Sequence, residues 1–245
     1  MKIIASDYDG TLKHNGISDA DRDAITKFRK EGNKFGIVTG RCTEQALWVM
    51  YDLKKAQLEV DFIICCTGAV ILNSDGTIRQ KKTAKVTNEL KKLTDKAQEL
   101  EVRSMNINNC LKATFLDPQN KIPLNLEEIG ELTQINSWFE SEDNAREFCS
   151  YVNENLGNLL NAFQNGGSVD IPPAGVSKVT GVYDYAGAFD SPEIYAVGDN
   201  TNDIPMLKEF EGYAVSNARE QVKAVAKHQC DRIADMIEEI MKGSN

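Results

Sequence analysis

Three acidic residues stand where short apolar segments end. Asp7 and Asp9 follow the segment KIIAS, and Asp199 follows EIYAVG. Side chains two residues apart in an extended chain point to the same side, so Asp7 and Asp9 can face one site that Asp199 joins. Such carboxylates repel each other unless a cation lies between them. Mg²⁺ suits them because it accepts carboxylate, water and phosphate oxygens. We therefore predict a Mg²⁺ site at these three residues.

Donors suited to a phosphate group stand at two other places. Thr39 and Gly40 follow the segment KFGIV and offer a hydroxyl and a backbone amide. Lys178 offers an ammonium group near the start of a predicted helix, whose dipole also favours an anion. We expect these groups to bind the phosphate oxygens that face away from the metal.

Two carboxylates with different roles can then carry out phosphoryl transfer. Metal contact would keep Asp7 ionised, so that it can attack phosphorus and form an aspartyl-phosphate. Asp9, if its carboxyl faces the leaving group, can protonate the leaving oxygen and deprotonate the entering one. We therefore predict Asp7 as the nucleophile and Asp9 as the general acid/base.

Alternating apolar and amphipathic segments must position these side chains. The β-rich runs KIIASDYD, KFGIVTG, DFIICCTG, EIYAVGDN and GYAVSN are separated by stretches of helical periodicity. Strands that are apolar on both faces and joined through helices indicate a parallel sheet. We predict an α/β fold with a Rossmann-like, doubly wound core of five strands. Ligands bind beyond the carboxyl ends of such strands, which is where the polar residues stand.

The pattern changes between residues 83 and 172. A predicted helix at 88–100 precedes the strand-like segments VRSMNIN and CLKATFLD, and a helix near 143–155 precedes a predicted hairpin across Gly166 and Gly167. We predict an inserted α+β cap domain at 83–172, with the core formed by 1–82 and 173–245. Alternation along its strands places Asn106 and Lys112 on polar faces, where we expect them to contact substrate.

Composition excludes several classes of protein. The chain has 245 residues, 41% of them hydrophobic and 27% charged, as a globular protein does. Its net charge of -9 disfavours nucleic acid and membrane surfaces as partners. Asp7 interrupts the early apolar run that a signal peptide needs, and the apolar segment 60–72 is shorter than the roughly 20 residues that cross a bilayer. That segment reads as one buried strand. We expect a cytoplasmic monomer or weak homodimer.

Four motifs occur in a recognisable order: DYDGTL at 7–12, VTGR at 38–41, GVSK at 175–178 and GDNTNDIPML at 198–207. Together they resemble the haloacid dehalogenase superfamily, and within it the Cof-type phosphatases with an α/β (type IIB) cap. The resemblance spans the whole core, and the insert falls between the second and third motifs, where this branch has its cap.

This resemblance implies the same nucleophile and acid/base as the residues do, and it extends the site. The implied metal ligands are Asp7, Asp199 and the main-chain carbonyl of Asp9, with Asp203 in the outer shell. The implied phosphate ligands are Thr39 and Lys178, with Asn202 near them.

Two positions leave questions open. Relatives often have Asn-Gly-Ala after the third strand, but this chain has Thr67-Gly68-Ala69, so an amide that helps to position substrate is missing. Arg41 either contacts substrate or braces the loops around the site. Neither question affects the expected chemistry.

We expect a Mg²⁺-dependent phosphatase that acts on a small phosphate monoester, a sugar phosphate above all. One alternative is a phosphosugar mutase, because phosphomannomutases resemble this architecture and share the DxDGT start. The other is a non-catalytic switch protein in which a phosphorylated Asp7 or a bound metal sets the cap position. The fate of the phosphoryl group on Asp7 separates the three.

Overall fold

The structure, a computed structural model, describes residues 1–85, 89–110, 113–116 and 130–243. Its strands are β1 (Lys2–Ser6), β2 (Lys34–Val38), β3 (Phe62–Cys65), β4 (Val70–Asn73), β5 (Ile78–Lys81), β6 (Ala84–Lys85), β7 (Ser104–Asn108), β8 (Ala113–Leu116), β9 (Glu131–Leu132), β10 (Gln134–Trp138), β11 (Phe163–Asn165), β12 (Ser168–Ile171), β13 (Glu193–Gly198), β14 (Glu211–Val215) and β15 (His228–Cys230). Its helices are α1 (Asp19–Lys30), α2 (Thr43–Lys55), α3 (Glu89–Glu99), α4 (Glu142–Asn155), α5 (Lys178–Ala186), α6 (Ile204–Glu209), α7 (Glu220–Lys223) and α8 (Ile233–Lys242).

An eight-stranded sheet in the order β15-β14-β13-β1-β2-β3-β4-β5 forms the larger layer. The strands from β15 to β3 pair in parallel, whereas β4 and β5 are antiparallel to their neighbours. The α/β fold with a parallel, Rossmann-like sheet is therefore confirmed. The five predicted strands form its centre, and β4, β5 and β15 extend it.

The segment 60–72 was expected to be one buried strand, and that expectation is wrong. The chain leaves β3 at Cys65, makes a short 3₁₀ turn over Cys66–Gly68 and returns as β4. Cys66 and Thr67 have φ angles of 51° and 53°, which reverse the chain direction. Apolar residues continue through the turn because it is buried, so the sequence pattern does not show the break.

A second, antiparallel sheet has the order β11-β12-β10-β7-β8. Residues of α3 and α4, such as Leu93 and Phe148, pack with Met105, Ile107 and Ile135 of this sheet. These residues form an apolar cluster separate from that of the eight-stranded sheet. The opposite face of the second sheet is polar.

The polar face of the second sheet has a regular arrangement across its strands. Asn136 of β10 pairs with Asn106 of β7 on one side and with Asp170 of β12 on the other. Successive side chains of a strand alternate between its faces, so these three residues form one row. Within the described residues, no helix is both long and apolar enough to span a lipid bilayer.

Candidate active site

Lys178 lies buried between two carboxylates at the carboxyl end of the parallel sheet. Its Nζ donates to Asp7 Oδ1 and to Asp203 Oδ1, each at 2.6 Å. Burial lowers the pKa of Lys178, but the charges of Asp203 and Asp7 outweigh this and raise it, so the ammonium form is retained. Burial, together with the charge of Asp203, raises the pKa of Asp7 despite its contact with Lys178. The site therefore holds more negative charge than Lys178 neutralises.

The acidic cluster consists of Asp7, Asp199 and Asp203, which each offer an oxygen within 4.8 Å of the others. Both Asp203 oxygens already accept hydrogen bonds: Oδ1 from Lys178, and Oδ2 from the N–H groups of Asp199 and Asn200 at 3.2 and 3.1 Å. Asp7 and Asp199 keep carboxylate oxygens for a cation. A hard divalent ion such as Mg²⁺ fits this donor set.

Gly10 is needed for Asp199 to approach Asp7. Its φ angle is +85°, and a Cβ atom built on it would lie 2.5 Å from Asp199 Oδ2. Thr11 Oγ1 then donates to Asp199 Oδ1 at 2.9 Å and fixes the carboxylate. Burial and the charge of Asp203 raise the pKa of Asp199, as expected where carboxylates crowd without a cation.

Asp9 faces a different partner from Asp7. Its two carboxylate oxygens accept from Nε and Nη2 of Arg41, both at 2.7 Å. The Arg41 guanidinium also lies 5.4 Å from the centre of the Tyr8 ring. The Asp9 carboxyl is about half exposed and lies outside the acidic cluster, because the chain turns at Tyr8; its side chain therefore does not face one site with Asp7 and Asp199 as the sequence predicted. Arg41 bonds to Asp9 and also lines the cavity, so both of its predicted roles, contact with substrate and bracing of the loops, stay predictions.

The predicted phosphate ligands meet beside this cluster. Thr39, Gly40 and Asn202 line the same cavity as Asp7. Lys178 contacts Asp7 in the protein interior beside this cavity. Thr39 Oγ1 accepts from the backbone N–H of Arg41 at 3.2 Å, which orients the hydroxyl. Asn202 Oδ1 is buried without a hydrogen-bond partner among the described residues. A buried polar atom without a partner costs stability unless a ligand supplies one.

The start of helix α5 places Lys178. Ser177 caps the helix: its Oγ accepts from the N–H of Thr180, and its own N–H donates to Thr180 Oγ1. Gly68 packs on this helix start so closely that a Cβ atom on it would lie 2.0 Å from the Ser177 carbonyl oxygen. The turn after β3 therefore sets the depth of Lys178.

The polar row of the second sheet closes the site from the other side. Asn106, Asn136 and Asp170 line the cavity, whereas Lys112, also predicted to contact substrate, lies outside the described residues. Asn136 Nδ2 donates to Asp170 Oδ1 at 2.6 Å. Burial raises the pKa of Asp170 to about 6, although Asn136 and Lys178 oppose this.

Asn136 and Asp170 line this cavity but were not predicted as site residues, and neither was Gln134, which bonds to the Gly40 carbonyl oxygen. The alternation Ser168, Val169, Asp170, Ile171 shows that Asp170 belongs to a polar strand face. That signal was available in the sequence. Nothing in it says that this face meets Gly40, where a Cβ atom would lie 2.2 Å from Asp170 Oδ2.

The cavity between the two sheets has a volume of about 350 Å³. A larger groove of about 760 Å³ runs beside α2, but it is lined mainly by apolar and exposed residues and lacks the acidic cluster. The smaller cavity is the candidate active site because the charged groups converge there. It is lined by Asp7, Asp9, Thr39, Gly40, Arg41, Gln45, Ser104, Asn106, Asn136, Ser137, Trp138, Asn165, Ser168, Asp170, Asn200 and Asn202.

A parallel α/β sheet with carboxylates and one buried lysine at its carboxyl end, facing a second polar sheet, forms a site suited to a small anionic ligand. The model of the haloacid dehalogenase-like hydrolase family matches residues 4–236. The chain therefore belongs to that family, as its motifs predicted.

Known proteins similar to this chain include phosphatases. A 5-amino-6-(5-phospho-D-ribitylamino)uracil phosphatase of Bacillus subtilis is 25% identical over 237 residues, which cover 94% of this chain and 90% of that protein. A phosphatase structure from Bacteroides thetaiotaomicron has a TM-score of 0.76 and 24% identity and covers 100% and 95% of the two chains. A subclass IIB sugar phosphatase structure has a TM-score of 0.79 and 19% identity and covers 100% and 99%. The predicted enzyme class, a phosphoric monoester hydrolase, is confirmed.

Proposed function

We propose that this chain is a Mg²⁺-dependent phosphatase that hydrolyses small phosphate monoesters, sugar phosphates in particular, through an aspartyl-phosphate on Asp7. The observation that carries the proposal is the buried contact of Lys178 with Asp7 at 2.6 Å, beside the cavity that Asp7, Thr39 and Asn202 line. A lysine so placed holds a phosphate oxygen next to the attacking carboxylate.

The two carboxylates divide the reaction between them. An Asp7 oxygen attacks phosphorus while the bond to the ester oxygen breaks, and Asp9 gives that oxygen a proton. Asp9 then takes a proton from water as the water oxygen attacks phosphorus, and the bond from phosphorus to Asp7 breaks. Inorganic phosphate leaves, and both carboxylates regain their first states.

The metal would be held by Asp7, Asp199 and, as the resemblance implies, the main-chain carbonyl of Asp9. When bound, Mg²⁺ supplies positive charge next to the phosphate oxygens. Asp203 supports the site through Lys178 and the backbone of residues 199 and 200.

The polar face that closes the cavity supports a hydroxyl-rich substrate. Ser104, Asn106, Asn136 and Ser168 offer amide and hydroxyl groups that can bond to the hydroxyls of a sugar. Two similar proteins fit this class, since one acts on a phosphoribityl compound and another is a sugar phosphatase. We propose that residues 83–172 form the cap that selects the substrate. A cytoplasmic location and a monomer or weak homodimer stay predictions.

A panel of phosphate esters tests the proposal, with p-nitrophenyl phosphate and sugar phosphates assayed in Mg²⁺ and in EDTA. We expect release of inorganic phosphate in Mg²⁺ and its loss in EDTA. Asp7→Asn should abolish release while the circular dichroism spectrum stays unchanged. Turnover retained by Asp7→Asn would exclude the nucleophile role, and phosphate passed to another sugar hydroxyl without release would favour a mutase. A long-lived phosphorylated chain without turnover would favour the switch.

A further inference from the structure

We propose that Gln134 of the cap is a positioning residue for the phosphate loop, which we define as residues 39–41. In this proposal Gln134 holds the Gly40–Arg41 peptide, and with it the Thr39 hydroxyl, in place for the transferred phosphoryl group. The inference rests on the proposed function, because it concerns how the same site binds phosphate.

The amide of Gln134 connects the cap to two loops of the core. Its Nε2 donates to the Gly40 carbonyl oxygen at 2.6 Å, and its Oε1 accepts from Thr67 Oγ1 at 2.9 Å. Gln134 is completely buried at the start of β10. One side chain thus joins the loop after β2 to the turn after β3.

These bonds fix both sides of one peptide group. The carbonyl of the Gly40–Arg41 peptide bonds to Gln134, and its N–H donates to Thr39 Oγ1 at 3.2 Å. A hydroxyl that accepts in this way has its hydrogen left to donate. The hydrogen of the Thr39 hydroxyl is then available to a phosphate oxygen. The direction of this O–H bond depends on the position of the Gly40–Arg41 peptide, which Gln134 holds.

Thr67 gives the arrangement a further connection. Its hydroxyl bonds to Gln134, and the next residue, Gly68, packs on the Ser177 carbonyl at the start of α5. Lys178 begins that helix. Gln134 therefore contacts the loop that carries Thr39 directly and is connected through Thr67 and Gly68 to the helix that carries Lys178. It contacts neither Asp7 nor Asp9 in any described bond.

A positioning role differs measurably from contact with the leaving group. Loss of Gln134 should weaken the binding of phosphate itself, and it should lower turnover of different esters by a similar factor. A residue that bonds to the leaving group would instead change the preference among esters. Misplacement by less than an ångström at such a site has large kinetic effects.

The experiment compares Gln134→Leu, Thr67→Val and Thr67→Ser with the wild type. We expect Gln134→Leu to raise the Kd of inorganic phosphate, measured by calorimetry in Mg²⁺, by about tenfold and to lower kcat/KM for p-nitrophenyl phosphate and a sugar phosphate by a similar factor. Thr67→Val should give the same pattern at about threefold, and Thr67→Ser, which keeps the hydroxyl, should match the wild type.

Gln164→Leu is the matched control. The Gln164 amide donates to the carbonyls of Glu142 and Gly166, so this variant loses two cap bonds and none to the phosphate loop. Equal phosphate affinity in Gln134→Leu and Gln164→Leu would overturn the proposal, as would a loss confined to one ester. If Gln134→Leu does not fold, Thr67→Val provides the test. A Thr67→Val variant that binds phosphate as tightly as the wild type would overturn the proposal. If the wild type hydrolyses none of the esters, the proposed function is wrong. The Kd of inorganic phosphate would still test the positioning role of Gln134.

Discussion

Lys178, Asp7 and Asp203 form a buried group in which one cation serves two carboxylates. Removing the cation would leave both carboxylates desolvated and next to each other. We predict that Lys178→Met lowers the free energy of unfolding by about 3 kcal/mol at pH 7.5. The loss should be smaller at pH 5.5, because the carboxylates can take up protons once the cation is absent.

Urea unfolding of Lys178→Met measures this effect, and the double variant Asp7→Asn/Lys178→Met is its control. The double variant removes one carboxylate together with the cation, so part of the lost stability should return. If the single and double variants unfold at the same urea concentration, repulsion between the carboxylates is not the cause.

Asp170 offers a second residue-scale test, because it is buried and its described hydrogen bond comes from a neutral amide, that of Asn136. Burial raises its pKa from 3.8 to about 6. Between these values the folded state binds more protons than the unfolded state, so stability falls as pH rises towards 6. The full cost of ionising Asp170 in the folded protein, about 3 kcal/mol, is present at neutral pH. It is absent below the pKa that Asp170 has in the unfolded state.

We therefore expect Asp170→Asn to be more stable than the wild type at pH 7.5 by up to about 3 kcal/mol. The difference should shrink towards pH 4.5. Thermal unfolding over this pH range measures it, with Asp143→Asn on an exposed helix surface as the control. A difference that does not change with pH would mean that lost or gained hydrogen bonds to Asn136 dominate.

At the scale of elements, the contact between the β3–β4 turn and helix α5 determines where the lysine stands. Gly68 has a φ angle of +108°, and a Cβ atom on it would lie 2.0 Å from the Ser177 carbonyl oxygen. We predict that Gly68→Ala displaces the start of α5 and lowers kcat/KM by at least about tenfold. Melting temperature should fall as well.

Gly32→Ala distinguishes the steric clash with Ser177 from the conformational cost of placing alanine at a positive φ angle. Gly32 also has a positive φ angle, +84°, but a Cβ atom added to it would have no neighbour within 4 Å among the described residues. That variant should lose about 1 kcal/mol of stability and keep its kcat/KM. Equal kinetic losses in both variants would show that general destabilisation, not displacement of Lys178, explains the result.

The sequence predicted the elements well where one periodicity runs through a whole segment. Helices α3 and α4 and the five central strands agree with the expected segments to within a few residues. Strand β4 was missed because the chain reverses inside an apolar run, and β5 because its residues IRQK are mostly polar and exposed. The three-residue strand β15 is too short for an alternating pattern to show.

At the scale of the whole molecule, the site lies where two separately packed units meet. The proximity of Asp7 and Asp199 could be predicted because each follows a strand, and strand ends of a parallel sheet converge. The proximity of Gln134 and Asp170 to Gly40 could not be predicted, because Gly40 lies more than 90 residues away from both in the chain. Thr201 and Gln164 form a further bond between the units, from the Thr201 hydroxyl to the Gln164 carbonyl at 3.2 Å.

The net charge of -9 has a consequence for an anionic substrate that the local site does not show. The molecule as a whole repels a phosphate dianion, although Lys178 attracts it at short range and a bound metal would do so too. Salt screens the long-range repulsion more than the buried contacts, since the Debye length falls from about 30 Å at 0.01 M to about 8 Å at 0.15 M. We predict that kcat/KM for a sugar phosphate rises about twofold to threefold over this range. Initial rates at fixed free Mg²⁺ and increasing KCl measure the change, with a neutral viscogen as control for diffusion. A steady fall in kcat/KM with salt would instead mean that the local positive field extends beyond the cavity and guides the substrate in.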